Sequence, residues 1–318
     1  MLDLLWNRIA EGFGHPLGLR ALLRKRPDIR ISLNPGPPNI SAASVVPWHE
    51  FGLNSPGEWP ARRRGELRGW RVGSGGHYES FTQHQPAFDS LGSTQVRDHW
   101  TLDISSLHGF SNSKSDLRVF QSTDEMVIQN SPEMIDEITF DKMAENLAHK
   151  EIRIIHSTGT SDYFQVYQWD GRVFLINDGG SHHLAAAKYI AARLPAEYRL
   201  NGKLRTTALD QIAIESIMSD FRMFAISDEA SIACSVHDCM ESFGATWLWL
   251  PLPASFKDGK VILLPKGERR SMAVAKALDE AGLEDVGEFL LRLARRQHSF
   301  SIQLETESRL CRTGEVVA

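Results

Sequence analysis

Val173-Phe174-Leu175-Ile176-Asn177-Asp178-Gly179-Gly180-Ser181-His182-His183-Leu184-Ala185-Ala186-Ala187 is the stretch on which the reading of the fold depends. Its first four residues are apolar, β-branched or aromatic and read as a buried strand. Asp-Gly-Gly then interrupts the strand. Leu184, Ala187, Ala191 and Leu194 recur at helical spacing until Pro195 ends the run. Just upstream, residues 163–169 and 172–176 are two strand-like runs joined at Asp170-Gly171, a strong hairpin signal. The expectation is a hairpin whose second strand runs into a turn and then a helix.

Such a turn has its own chemistry. The first turn of a helix leaves backbone N–H groups without intrahelical partners, and their partial positive charge attracts anions, phosphate above all. Gly179 and Gly180 let the backbone approach a ligand and adopt positive φ. Asp178 or Ser181 can cap the helix, and His182 and His183 fall in its first turn. The phosphate-binding candidates are therefore Gly179, Gly180, Ser181, His182 and His183, and the catalytic candidates are His182, Ser181 and Asp178. Backbone amides would hold the phosphate, Ser181 would donate a hydrogen bond, and His182 would act as acid, base or ligand. The plain alternative is a capped helix with two surface histidines.

The order helix, strand, hairpin, Asp-Gly, His and Ala-rich helix resembles the ParB/sulfiredoxin-like superfamily. ParB-type domains carry a strand, a small residue and then Gly-x-His/Arg-Arg/His-x-x-Ala opening a helix. Sulfiredoxins carry Phe-Gly-Gly-Cys-His. The counterpart here is Asp178-Gly179-Gly180-Ser181-His182-His183-Leu184-Ala185-Ala186, preceded by a helix over 141–149 and a strand over 151–156. The resemblance spans residues 132–195. It implies an α/β (α+β) mixed-sheet unit and a nucleotide-phosphate site at the turn. The cofactors it implies are ATP or CTP with a divalent metal, and the activities are nucleotide hydrolysis, phosphoryl transfer or DNA cleavage. Ser181 stands where sulfiredoxins have cysteine, which argues against sulfinic-acid repair. His183 replaces the usual Arg and lacks its permanent charge and fork geometry. Glu145, Asp162, Lys150 and Arg153 would lie near the turn in that layout.

A second segment, Asp258-Gly259-Lys260-Val261-Ile262-Leu263-Leu264-Pro265-Lys266-Gly267-Glu268-Arg269-Arg270, echoes the first. It is either a related copy or the start of a surface helix with solvated arginines. Lys266, Gly267, Arg269 and Arg270 form the alternative anion site.

Outward from these motifs the chain divides, on its sequence, into a basic helical arm and linker (1–39), a loop-rich region of short strands (40–125), the core (126–265) and a helical C-terminal region (266–318). Residues 117–120 and 126–128 read as strands, and the polar run 111–115 as a mobile loop. Helices are expected near 209–218, 271–281 and 286–297, and strands at 247–250 and 261–264.

The 318 residues carry a net charge of -5. The charge is uneven, with 11 Lys/Arg against 6 Asp/Glu in residues 1–71. A basic arm ahead of an acidic body could touch DNA or an acidic protein partner. Three Cys at irregular spacing do not make a disulfide framework. Cys234, His237 and Cys239 lack a fourth ligand at standard spacing and read as buried thiols beside a helical His. His77, His84, His99 and His108 match no ligand pattern, so no metal site is assigned. No run approaches the ~20 apolar residues of a membrane helix, and a cytoplasmic location is expected. The function expected is binding of a nucleotide or nucleic-acid phosphate, with hydrolase or nuclease activity. The alternatives are a non-catalytic bacterial accessory or regulatory protein and a DNA-binding adaptor working through the arm.

Overall fold

The hairpin and the turn form as expected, and a mixed sheet is built around them. The computed structural model describes residues 14–34, 36–53, 63–157, 159–195 and 197–297. Strand β5 (Tyr163–Tyr167) pairs antiparallel with β6 (Val173–Ile176), with Tyr163 opposite Ile176 and Val166 opposite Val173. The sheet runs β3 (Gly92–Asp103), β7 (Arg199–Leu209), β5, β6, β4 (Leu107–Phe110). β7 lies parallel to β5, and β4 parallel to β6. The fold class is α/β with mixed α and β content, as the sequence indicates.

Helix α5 (Ser181–Ala191) leaves β6 through the turn and buries Leu184, Ala185, Ala186, Ala187, Ile190 and Ala191. Leu184 and the three alanines that follow it share one core with Phe164, Val166, Val173 and Leu175 of the strands. Met126 and Val127 of α2 (Thr123–Asn130) and Met143 and Leu147 of α3 (Phe140–Leu147) complete that side. Small alanine side chains let the helix sit close to neighbours on several faces at once. Each fully buried Leu or Phe in such a core contributes about 1.5–3 kcal/mol.

Three expected strands are not there. Residues 117–119 form a 3-10 turn, and residues 126–128 lie inside α2. Ser122 caps α2 by accepting the Glu125 N–H at 3.1 Å, and Glu125 reaches back to the Gln121 N–H at 2.8 Å. The serine cap and the carboxylate that reaches back one residue beyond it fix a helix start where a short apolar run alone suggested a strand. Residues 151–156 hold the single turn α4 (Arg153–His156), not a strand. Its backbone is satisfied locally, Ile155 and His156 both donating to the Ile152 carbonyl. Asn112, Ser113 and Lys114 of the polar run 111–115 line the site described below, and β3, 12 residues long, exceeds the short strands expected before residue 125.

The chain divides into two compact units, neither continuous in sequence. Among the described residues the mixed sheet belongs to a unit drawn from 36–46 and 93–208, and the other unit is drawn from 14–34, 47–92 and 209–295. The consecutive blocks read from the sequence do not correspond to these units. The second unit holds a sheet that is antiparallel throughout, in the order β2 (Tyr78–His84), β1 (Glu66–Val72), β9 (Trp247–Pro251), β10 (Gly259–Pro265), β8 (Phe221–Ser227). α1 (Leu17–Lys25), α7 (Ala230–Phe243) and α8 (Arg269–Glu280) share a core with Phe224, Trp247 and Ile262 of this sheet. α6 (Gln211–Asp220) and α9 (residues 286–297) form where the sequence placed helices.

The basic N-terminal segment is therefore not a free arm from residue 17 on. Leu19 and Leu23 of α1 are core residues, and Arg20 and Arg26 pair with Glu280 and Glu229 of the same unit. Residues 1–13 of the expected helical arm and residues 298–318 of the expected helical C-terminal region lie outside the described residues. Cys234 is exposed on α7 instead of buried. Among the described residues no helix is long and apolar enough to cross a membrane.

Candidate functional site

The site is built from the turn outward. Gly180 takes the left-handed conformation at φ +71° and is the N-cap of α5. A Cβ here would lie 2.8 Å from both the Glu151 carbonyl carbon and the Ile152 nitrogen. Glycine is thus required twice over, and the close approach it permits is to the chain's own backbone. Neither Asp178 nor Ser181 caps the helix as expected. Asp178 forms an ion pair with Arg153 at 2.8 Å, and the Ser181 hydroxyl donates to Ser113 Oγ at 2.9 Å.

The Leu184 N–H donates to the Gly180 carbonyl and begins the helical ladder. The N–H groups of Ser181, His182 and His183 meet no acceptor among the described residues. A cleft of about 540 Å³ opens over them. It is bounded by the turn itself, by Ser113 and Lys114, by Asn130 and Ser131, and by His149, Glu151 and Arg153. This size is ordinary for a small-molecule site.

Asn177 joins the turn to the 111–115 loop. Its side chain accepts the Asn112 N–H at 3.2 Å and donates to the Asn112 and Gly179 carbonyls at 3.1 and 2.9 Å. The loop is thereby held over the helix terminus, with Lys114 at the cleft and exposed.

His182 is engaged at both ring nitrogens. Ser115 Oγ lies 3.0 Å from Nε2 and Ser131 Oγ 2.5 Å from Nδ1. Asn130 Nδ2 donates in turn to Ser115 Oγ at 2.7 Å. Burial, followed by the charge of Lys114, lowers the His182 pKa, against an opposing pull from Glu133. The ring is thus neutral near pH 7 and serves first as a tie between the loop, the end of α2 and α5.

His183 stacks on His149, with centroids 3.7 Å apart and planes 13° from parallel. Asn146 settles its tautomer. The Asn146 amide nitrogen donates to the Met134 and Lys142 carbonyls, so its oxygen faces His183 Nδ1 at 3.2 Å and must accept. Nδ1 therefore carries the proton, and neutral His183 presents a lone pair at Nε2. Burial, then the neighbouring His149, lowers the His183 pKa. His149 Nδ1 is itself buried without a hydrogen-bond partner.

Of the outer residues suggested by the family layout, Asp162 is 4% exposed, accepts the Asp178 N–H, and keeps Oδ2 without a partner. Burial raises its pKa above the usual carboxylate range despite Arg153. Glu145 and Lys150 line a neighbouring cleft. Among the described residues no three His, Cys, Asp or Glu side chains gather as a metal site. Among the described residues the carboxylates lining the first cleft are Glu151 and Asp178, and Asp178 is held by Arg153.

The alternative anion site sits in the unit with the antiparallel sheet. β10 does run through Lys266 and Gly267 into α8, so the strand-turn-helix layout recurs. Gly267, however, has no left-handed φ, and a Cβ there would meet nothing within 4 Å. The Arg270 guanidinium lies over the Phe243 ring at 5.8 Å. None of the four lines the cleft over α5.

Sequence reasoning missed Asn130, Ser131, Ser115, Lys114, Asn146 and His149. Only the 111–115 run carried any signal, a density of small polar residues that reads equally as a loop without function. The fold and site together define a two-unit α/β protein with an open helix terminus at the base of a polar cleft. The chain belongs to the family of unknown function DUF6685, whose model matches residues 97–302. No curated protein and no solved structure matches it.

Proposed function

We propose that the cleft over α5 binds the phosphate of a nucleotide, with ATP and CTP the first ligands to test. The observation that carries this is the set of three N–H groups, on Ser181, His182 and His183, that lack acceptors and open into a cleft beside Lys114. Oriented amides at a helix terminus, together with a nearby cation, suit a phosphate better than they suit a neutral ligand. The resemblance to the ParB/sulfiredoxin-like superfamily supports the same ligand, through the glycine-histidine turn alone.

A second reading concerns chemistry. An NTPase, phosphotransferase or nuclease would use His182 as its acid or base. Both of its ring nitrogens are already bonded to serine hydroxyls, which favours a binding site without turnover, as in a non-catalytic regulatory protein. DNA remains a candidate for the phosphate donor. The adaptor reading loses most of its support, because α1 is docked in a core.

Calorimetric titration of the full chain with ATP, CTP and a short DNA duplex, with and without Mg²⁺, tests this. Binding of a nucleotide that weakens in Lys114→Ala is expected. No binding of any of the three, or binding indifferent to both Lys114→Ala and His182→Ala, would sink the reading. Release of nucleoside diphosphate over hours would decide for catalysis.

A further inference from the structure

A second cleft of about 650 Å³ adjoins the first, and Met134, His149 and His183 line both. The stacked imidazole pair and the Met134 side chain are therefore a wall common to two compartments. The second compartment lies over α3 and the residues after it, reaching Ala148 and Lys150. Its chemistry differs from that of the first. It is lined by one thioether, one methyl, the imidazole rings, the Asn146 amide and the charged groups of Glu133, Lys142, Glu145 and Lys150.

Those charged groups are unequally committed. Lys142 is taken up by Asp136 at 3.1 Å and Glu145 at 3.5 Å. The amide of Asn146 is spent on two carbonyls and on His183. Glu133 has no hydrogen-bond partner among the described residues and remains an open acceptor at the rim. A flat ring bearing an amine would meet imidazole and methionine at its face and a carboxylate at its edge.

We infer that the second cleft takes the nucleoside end of a ligand whose phosphates lie over α5, and that it favours a base with an exocyclic amine. This rests on the phosphate reading of the first cleft and extends it to a ligand spanning both compartments. Phosphates alone would fill only the first. The stacked pair is the fulcrum, since His183 belongs to the helix terminus and also faces the second cleft.

The test compares inorganic triphosphate, ATP, CTP, UTP, adenosine and cytidine by calorimetry on the full chain. The variants are Ala148→Trp, which puts bulk into the second cleft at a residue absent from the lining of the first, and Glu133→Gln. Wild-type protein is expected to bind ATP or CTP at least about tenfold more tightly than triphosphate, the scale of one base stacked on an aromatic ring. Ala148→Trp is expected to abolish that advantage while leaving triphosphate binding unchanged, which also shows that the variant folds. Glu133→Gln is expected to bring ATP and CTP closer to UTP. Equal binding of triphosphate and nucleotides by the wild type, or an advantage that survives Ala148→Trp, overturns the inference and leaves the phosphate reading standing. Binding of adenosine or cytidine without any binding of triphosphate overturns the phosphate reading and keeps the second cleft. Binding of none of the six overturns both.

Discussion

His149 and His183 lie face to face, with ring centroids 3.7 Å apart. Two unit charges at that separation repel by roughly 4 kcal/mol at an effective dielectric constant of 20. Positive charge on His149 therefore opposes protonation of His183. His183 and His182 both have pKa values lowered from 6.5 in the fold, with burial the leading cause. Below pH 6.5 the unfolded chain takes up protons that the folded chain refuses, so stability falls as pH drops. Above 6.5 the contribution is complete, and it is lost on descent toward the depressed folded values. His49 and His108 act with the same sign. Urea denaturation between about pH 5 and 7.5 is expected to show this slope, reduced in His149→Phe, which keeps a ring on His183. A flat profile would contradict it.

Gly180→Ala places a Cβ in a left-handed residue and against the backbone of Glu151 and Ile152. A destabilisation of about 1–3 kcal/mol is expected from the strain alone. Gly267→Ala, at the corresponding turn before α8, meets neither obstacle and is expected to change stability by less than about 0.5 kcal/mol. Thermal melts of the two variants side by side check the contrast.

Ser131 is 2% exposed, and its hydroxyl is tied to His182. His182→Ala leaves that buried hydroxyl without its partner, at a cost of about 1–3 kcal/mol. Adding Ser131→Ala removes the orphaned group, so the double variant is expected to be less destabilised than the sum of the singles, by about 1 kcal/mol. Additive effects would mean that His182 acts elsewhere.

Lys114 is exposed at the mouth of the cleft. Lys114→Ala is expected to weaken nucleotide binding by about three- to tenfold at low salt, less at high salt, and to leave the melting temperature unchanged. Calorimetry at two ionic strengths distinguishes this from a structural effect.

Leu23 in α1 is buried in the core with Phe224 and Ile262. Leu23→Ala is expected to cost about 2–5 kcal/mol, the range for a core leucine. A surface arm would tolerate the change, so chemical denaturation decides between the two. Deletion of residues 1–39 would likewise destroy a core along with any basic contact, and neutralising the exposed Arg24 and Lys25 of α1 is the cleaner probe of DNA binding.

How much was legible in the sequence depends on how local the determinant was. The β5–β6 hairpin, the turn and α5 were readable because Asp170-Gly171, Gly179-Gly180 and the alanine run each act through neighbours in the chain. The capping pair Ser122 and Glu125 was also local and shows α2 once it is sought. α4 was not readable, because isoleucines at 152, 154 and 155 favour a strand and only the absence of a neighbouring strand overrides them. The cleft was half readable. Its floor follows from the glycines, but Ser131, Asn146 and His149 reach it through tertiary packing of α2 and α3 on α5. Nothing in their own neighbourhoods marks them.

The discontinuity of the two units bears on inheritance. Ile40 belongs to the core beneath α5 and Ser41 bridges to Phe110, yet both are separated from residue 93 by chain that builds the other sheet. A recombination event that transplanted residues 93–208 alone would carry the whole cleft and leave part of its foundation behind. The unit that carries the cleft therefore includes its far-upstream segment, and no single cut in the chain separates the two units whole.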